Sequence, residues 1–273
     1  MQMIWPDNQG KKAVRPWQIF RQALGVWRAR LWKFLQIGLV CFAPVLVLGL
    51  LSANLFPGGK ALAHSVIAGG IALVAVVAGV WADLVITVAA LKACQDSAGR
   101  LTGNALGAAE FFPTYLCAVF STSALLTAIA ACGISAAYVT ARTLLASNRL
   151  LAVSIISLVG TAAIAACVYF SIRLSLAPVV CAAEGLGPLA ALRRSHTLVE
   201  DYVTPVVGVY FLLGLAAFIL MAPLFFFAPI PTGDRGVNNL VQVYQYLFSC
   251  CFAPLGKCAA VLLYSRLKSI QAE

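Results

Sequence analysis

Charged residues are scarce in this sequence: Asp, Glu, Lys and Arg make up only 10% of its 273 residues, against 62% apolar residues. A water-soluble domain needs far more polar side chains to cover its surface. The composition therefore excludes an ordinary soluble globular protein. Crossing about 30 Å of hydrocarbon takes roughly 20 apolar residues. Charge-poor runs of that length recur six times along the chain.

The six runs predict an all-α fold, a polytopic membrane helix bundle with six transmembrane helices. The predicted spans are Phe34–Leu55, Ser65–Leu91, Tyr115–Thr140, Leu150–Arg173, Val203–Ala228 and Leu240–Tyr264. They form a transmembrane domain over residues 34–264, between a basic segment over 1–33 and a short tail over 265–273. The first run is long enough to span and follows more than 30 residues, so we expect a retained helix and not a cleaved signal peptide.

Histidine is limited to His64 and His196, which are predicted on opposite faces of the membrane. The acidic residues Glu184, Glu200 and Asp201 share one loop with two arginines, which favours local helix charge pairing over a catalytic dyad. No metal or catalytic site can be assembled from these residues, so we expect no enzymatic activity and no cofactor. The nine cysteines show no CxxC spacing. Buried small apolar residues explain them better than the alternative, a disulfide or metal framework.

Basic residues are concentrated on one side of the predicted bundle. Fourteen of the 19 Lys and Arg residues lie in the N-terminal segment, the even-numbered loops and the tail. The opposite side has only Lys60, Arg142, Arg149 and Arg235. The positive-inside rule therefore predicts a bacterial inner-membrane protein with both termini cytoplasmic. The net charge of +10 could suggest binding to nucleic acid, but this one-sided distribution argues against it.

The segment from Pro16 to Leu35 has apolar residues at helical spacing: Trp17, Phe20, Leu24, Trp27, Leu31 and Leu35. Its arginines fall largely elsewhere on the helix. This pattern predicts an amphipathic interfacial helix on anionic lipid, and similar cytoplasmic surface helices are expected before later spans. The predicted headgroup contacts are Trp17, Arg21, Trp27, Arg28, Arg30 and Lys33. The alternative is a simple extension of the first span into the cytoplasm.

A weak internal repeat accompanies this layout. An Ala-Leu step occurs at Ala23-Leu24, Ala105-Leu106 and Ala191-Leu192, with separations of 82 and 86 residues. Each step lies in a short segment that leads into an odd-numbered span. The spacing indicates a threefold pseudo-repeat of one surface helix and two spans, with chance recurrence of apolar dipeptides as the alternative.

Only two ionisable residues are predicted well inside spans, Asp83 and Lys257, and each would be costly alone in hydrocarbon. Each precedes the basic exit residue of its span, Lys92 or Arg266, by nine positions. Equal depth and an intramembrane ion pair between the second and sixth helices are therefore expected. Three interpretations stay open: the pair fixes helix packing, it couples protons or ions, or the residues make no contact.

The stretch from Arg173 to Leu198 reads RLSLAPVVCAAEGLGPLAALRRSHTL. It resembles the glycerophosphoryl diester phosphodiesterase membrane-domain family and the related YciC-like integral membrane proteins. The matching positions are Arg173, Pro178, Glu184, Gly185, Ala191, Leu192, Arg194, Ser195 and Leu198. The basic N-terminal helix and the C-terminal LLYSRLK add to the resemblance. It implies the membrane region alone, because the nine residues after Tyr264 leave no room for a phosphodiesterase domain.

These observations predict a non-catalytic scaffold or an accessory subunit of a membrane complex. The expected partners are anionic lipids and either another membrane protein or a second copy of the chain. The alternative function is a carrier for lipid or a small solute. Transport in proteoliposomes would favour the carrier, whereas stable co-purification with one partner would favour the scaffold.

Overall fold

The computed structural model describes residues 14–55, 62–98, 108–144, 149–227 and 235–271, which are helical apart from short turns and contain no strand. The helices are α1 (Pro16–Ala29), α2 (Leu31–Leu55), α3 (Leu62–Ala98), α4 (Ala108–Leu144), α5 (Arg149–Leu174), α6 (Ala177–Glu184), α7 (Pro188–Glu200), α8 (Val203–Phe227) and α9 (Arg235–Gln271). The all-α prediction is confirmed for these residues.

Five helices are long and apolar enough to cross a membrane, over Val76–Cys94, Phe112–Val139, Val153–Glu184, Val203–Ala222 and Val243–Gln271. They overlap five of the six predicted spans, and the chain is a multi-pass membrane protein. Helices suit this environment because each backbone N–H and C=O is satisfied within its own segment. The remaining predicted span coincides with α2, where the apolar stretch found, Leu31–Cys41, is shorter. A sixth span stays a prediction.

The core lies toward one end of the bundle. Among the described side chains, α4 has none buried beyond Ala118, and α5 has none buried before Leu174. In the same way, α8 has none buried beyond Leu213, and α9 has none before Cys250. We call this part of the molecule the basic end, because exposed Arg and Lys side chains surround it. It comprises residues 16–38, 82–94, 112–118, 173–213 and 250–271.

The N-terminal segment forms a helix of its own. Arg30, with φ −122° and ψ 17°, separates α1 from α2, and α1 packs mainly against α8 and α9. Gly208 of α8 allows this approach, because a Cβ atom there would lie 2.7 Å from Cγ of Pro16. The alternative of a continuous extension of the first span is therefore wrong.

Short helices precede two pairs of long ones, as α1 precedes α2 and α3, and α7 precedes α8 and α9. Ala23 of α1 and Ala191 of α7, the first residues of two Ala-Leu steps, are both fully buried. The middle step, Ala105-Leu106, lies outside the described residues. The threefold pseudo-repeat therefore stays a prediction.

Gly133 on α4 is expected to be essential for the packing of α4 on α5. A Cβ atom there would overlap Cβ of Ala163, whereas a Cβ atom at Gly160 would meet nothing within 4 Å. Gly133→Ala should therefore cost about 1–3 kcal/mol through overpacking. Gly160→Ala, the matched control, should be neutral or stabilising because alanine is the better helix former. Thermal unfolding in detergent measures both, and equal midpoints would contradict the close approach.

Candidate functional site at the basic end

The structure brings Asp83 and Lys257 together from α3 and α9. The Lys257 Nζ atom donates to Oδ2 of Asp83 at 2.7 Å. The Asp83 side chain is 33% exposed and that of Lys257 is 20% exposed. The interaction is thus an ion pair at the edge of the core, open on one side.

Two hydroxyl groups that the sequence analysis missed complete this network. The Tyr115 hydroxyl donates to Oδ2 of Asp83 at 2.5 Å, and Thr87 Oγ1 donates to the Asp83 carbonyl oxygen at 2.7 Å. Thr87 Oγ1 also lies 3.2 Å from the Tyr115 hydroxyl. Each hydroxyl has one proton, so Thr87 must divide its proton between the two contacts. Both side chains are fully buried, which holds the carboxylate in one position.

The structure joins Asp83 to Lys257 as the sequence predicts, whereas the equal depth of the two residues in a membrane stays a prediction.

A second polar network surrounds Glu184 at the end of α6. Its Oε1 atom accepts from the Tyr264 hydroxyl at 2.6 Å and from Lys268 Nζ at 2.9 Å, both on α9. Its Oε2 atom lies 3.9 Å from Arg194 Nε on α7. Lys268 also donates to the Tyr264 hydroxyl at 3.1 Å. Glu184 therefore joins three helices through one carboxylate.

Arg173 joins the end of α5 to α7. Its carbonyl oxygen accepts from Ser195 Oγ at 2.8 Å, and its Nη1 lies 3.1 Å from Nε2 of His196. Arginine only donates, so this His196 nitrogen acts as the acceptor. The guanidinium carbon lies 4.9 Å from the Tyr169 ring centroid, which is a cation–π contact. The distance from Arg173 Nη1 to Glu200 Oε1 is 3.9 Å. Arg173 Nε is buried with no hydrogen-bond partner among the described residues.

The other motif positions shape the connection between these networks. The sequence predicts a cytoplasmic loop here with a surface helix before the fifth span, and the structure has two short helices, α6 and α7. Pro178 lies in the first turn of α6, where its missing N–H costs nothing. Gly185, with φ 65°, ends α6 in the left-handed conformation that glycine adopts without a steric penalty. Ala191 and Leu198 are fully buried on α7.

The predicted headgroup residues on α1 fall into two groups. Trp17, Arg21 and Arg28 are exposed, as is Lys33 on α2. Trp17, Leu24 and the two arginines share one face, while Ile19 and Ala23 on the other side enter the core. The expected separation of arginines from apolar residues on α1 is therefore wrong, since Trp17 and Leu24 share the exposed face with the two arginines. The opposite face, which carries Ile19 and Ala23, packs against α8 and α9.

Trp27 and Arg30 belong to the second group, which is turned toward the protein. Trp27 Nε1 donates to the Cys251 carbonyl oxygen at 2.8 Å, while its predicted headgroup contact stays a prediction. That carbonyl lies in the turn before Pro254, whose ring displaces backbone acceptors.

The basic end thus uses its charges mainly to hold helices together. Asp83, Glu184 and Arg173 each connect at least two helices through contacts inside the chain. Within the described ranges, no three His, Cys, Asp or Glu side chains are grouped to hold a metal ion. No family model, curated protein or solved structure matches the chain.

Proposed function

We propose that this chain is a non-catalytic scaffold or accessory subunit of a membrane complex in the bacterial inner membrane. The observation that carries the proposal is the position of the core. It lies at the basic end, where the long helices pack around the short helices α1, α6 and α7. Such a core is a rigid platform at one membrane surface. The resemblance of the motif to the family's membrane region supports the same role, since the motif residues hold this platform together.

The charge networks support a static role. A transport cycle requires buried ionisable groups to exchange partners, whereas Asp83 and Glu184 each accept several donors at once. Breaking the hydrogen bonds to either carboxylate leaves their donors without an acceptor. These networks therefore favour one conformation of the basic end.

The exposed side chains of α1 support placing the basic end at the lipid headgroups. The exposed Trp17, Arg21 and Arg28 of α1 suit anionic headgroups at that level.

Reversing the exposed charges of α1 is expected to weaken lipid association. Each basic residue near an anionic surface is worth about 1 kcal/mol, so loss of two should lower affinity roughly 30-fold. The variant is Arg21→Glu with Arg28→Glu, and the control is Arg193→Glu with Arg266→Glu, which changes net charge equally elsewhere. Quenching of tryptophan fluorescence by brominated phosphatidylglycerol measures the effect. Equal quenching in both variants would show that α1 does not contact these lipids.

Reporter fusions test the proposed orientation. Reporters after residue 273 and within 94–110 are expected to be cytoplasmic, because basic residues accumulate on that side. Reporters near 58–62, 143–148 and 232–238 are expected to be exterior. An exterior reporter at the C-terminus would overturn both the orientation and the six-span arrangement.

Purification in mild detergent followed by native mass spectrometry tests the scaffold function. We expect one protein partner, or a second copy, to stay bound in a fixed ratio. The carrier remains the second candidate, because the open side of the Asp83–Lys257 pair gives a ligand access. Transfer of labelled lipid or solute in proteoliposomes above the protein-free rate, with no retained partner, would replace the scaffold by the carrier.

A further inference from the structure

The ion pair between α3 and α9 has an open side, and both helices are long and apolar enough to cross a membrane. Asp83 is 33% exposed and Lys257 is 20% exposed, within the spans Val76–Cys94 and Val243–Gln271. Partly exposed charges inside a span are costly unless a polar group covers them. We infer that this open side holds the headgroup of phosphatidylethanolamine, with its phosphate on Lys257 and its ammonium on Asp83.

Both members of the pair keep hydrogen-bonding capacity for such a ligand. An ammonium group has three protons, and Lys257 Nζ donates to Asp83 Oδ2 alone among the described residues. The Tyr115 hydroxyl donates to the same Oδ2 atom, so Oδ1 has no donor within the described part of the chain. The open side therefore presents N–H donors beside an unused carboxylate oxygen.

The space beside Asp83 is set by its own helix. Helical side chains lean toward the N-terminus of their helix, so the Asp83 carboxylate lies over the turn that contains Gly79. A Cβ atom at Gly79 would meet no described atom within 4 Å. On the same face of α3, Val76 is 49% exposed, whereas Thr87, one turn after Asp83, is fully buried. This face thus changes from packed to open at Asp83.

The charges of the pair select the headgroup. Asp83 and Lys257 together are neutral, so a zwitterionic headgroup adds no uncompensated charge, whereas phosphatidylglycerol would place a second anion beside Asp83. The primary ammonium of ethanolamine donates to a carboxylate, but the methylated ammonium of choline has no N–H to donate. A phosphate joined to a primary ammonium by a short ethylene link therefore matches both halves of the pair.

The surroundings favour a lipid over a soluble molecule with the same phosphoethanolamine group. Exposed apolar side chains precede the pair on both helices, Val76 on α3 and Leu247 on α9. Acyl chains attached to the phosphate would cover this apolar surface, which a small phosphate ester leaves bare. This inference goes beyond the scaffold function, whose proposed lipid contacts lie on α1.

Native mass spectrometry of the full chain, stripped of lipid in detergent, tests the proposal. Phosphatidylethanolamine and phosphatidylcholine with identical acyl chains are compared, and their equal net charge keeps other basic residues from distinguishing them. We expect phosphatidylethanolamine to bind roughly tenfold more tightly, because only its ammonium donates a hydrogen bond to Asp83. Equal binding of the two lipids would overturn the headgroup assignment.

Two variants locate the bound lipid. Gly79→Leu fills the open space beside Asp83 and leaves the ion pair intact, so it should abolish the preference for phosphatidylethanolamine. Gly214→Leu on α8 is the matched control, because a Cβ atom there also meets no described atom within 4 Å, and it should keep the preference. Thermal unfolding checks that both variants fold. An unchanged preference in folded Gly79→Leu would overturn the site, and the wild-type comparison stands even where a variant does not fold.

Free phosphoethanolamine distinguishes a lipid from a soluble ligand. Because the acyl chains contribute to binding, free phosphoethanolamine at the lipid's concentration should leave the lipid adduct in place. Displacement at that concentration would identify a soluble phosphate ester as the ligand and overturn the lipid assignment. The adduct is measured whether or not a protein partner stays bound, so failure of this site and failure of the scaffold function give different results.

Discussion

Replacing Asp83 with alanine is expected to destabilise the protein by about 2–4 kcal/mol, because two donors lose their shared acceptor. Lys257 Nζ and the Tyr115 hydroxyl both donate to the same carboxylate oxygen. Tyr115 is fully buried, so its hydroxyl cannot turn to solvent. The partial exposure of Asp83 and Lys257 places the cost below that of a fully buried ion pair.

Lys257→Met is expected to cost less than Asp83→Ala, because Tyr115 still satisfies the remaining carboxylate. The double variant Asp83→Asn with Lys257→Met should recover much of the loss, since asparagine keeps an acceptor for Tyr115 and no charge lacks a partner. Thermal unfolding of the three variants in detergent measures the coupling. Purely additive losses would show that the two residues do not interact. Recovered stability with lost transport would instead support ion coupling.

The ion pair could be predicted from sequence because isolated charges are so costly in hydrocarbon that Asp83 and Lys257 had few other partners. Tyr115 could not be predicted in the same way. Its position at the start of a span is ordinary for tyrosine, and its contact with Asp83 depends on how α4 packs beside α3. Thr87, four residues after Asp83, was the one local signal, because that spacing places both on one helix face.

The sequence predicted only part of the arrangement of α1. Helical spacing predicted the helix, which is a local property. The donor that meets the backbone before Pro254 is Trp27, 224 positions earlier than its acceptor Cys251, and no local pattern could identify it. Long-range contacts of this kind decide which tryptophan is exposed and which packs against the protein.

The two sequence segments that carry the family resemblance meet in space. Glu184 belongs to the central motif, whereas Tyr264 and Lys268 belong to or flank the C-terminal LLYSRLK. The contact between the segments depends on the tertiary fold, and no local pattern predicts it.

Glu184→Ala is therefore expected to cost about 2–3 kcal/mol, because the nearly buried Tyr264 hydroxyl loses its acceptor and Lys268 loses its counterion. Lys268 cannot replace the carboxylate, since an ammonium only donates. Glu184→Gln should cost less, because its amide oxygen still accepts from Tyr264. Thermal unfolding and proteolysis within α6 and α7 measure both variants.

Glu200→Ala is the matched control, because Glu200 is 59% exposed and 3.9 Å from Arg173. Exposed ion pairs at that distance contribute about 0–1 kcal/mol, so this variant should unfold close to the wild-type temperature. If Glu184→Ala and Glu200→Ala lowered stability equally, Glu184 would be only one more surface carboxylate. A large difference between them, reduced when Tyr264→Phe is added to Glu184→Ala, would instead show that the partly buried Glu184 carboxylate holds α6 to α9 and keeps the basic end in one arrangement.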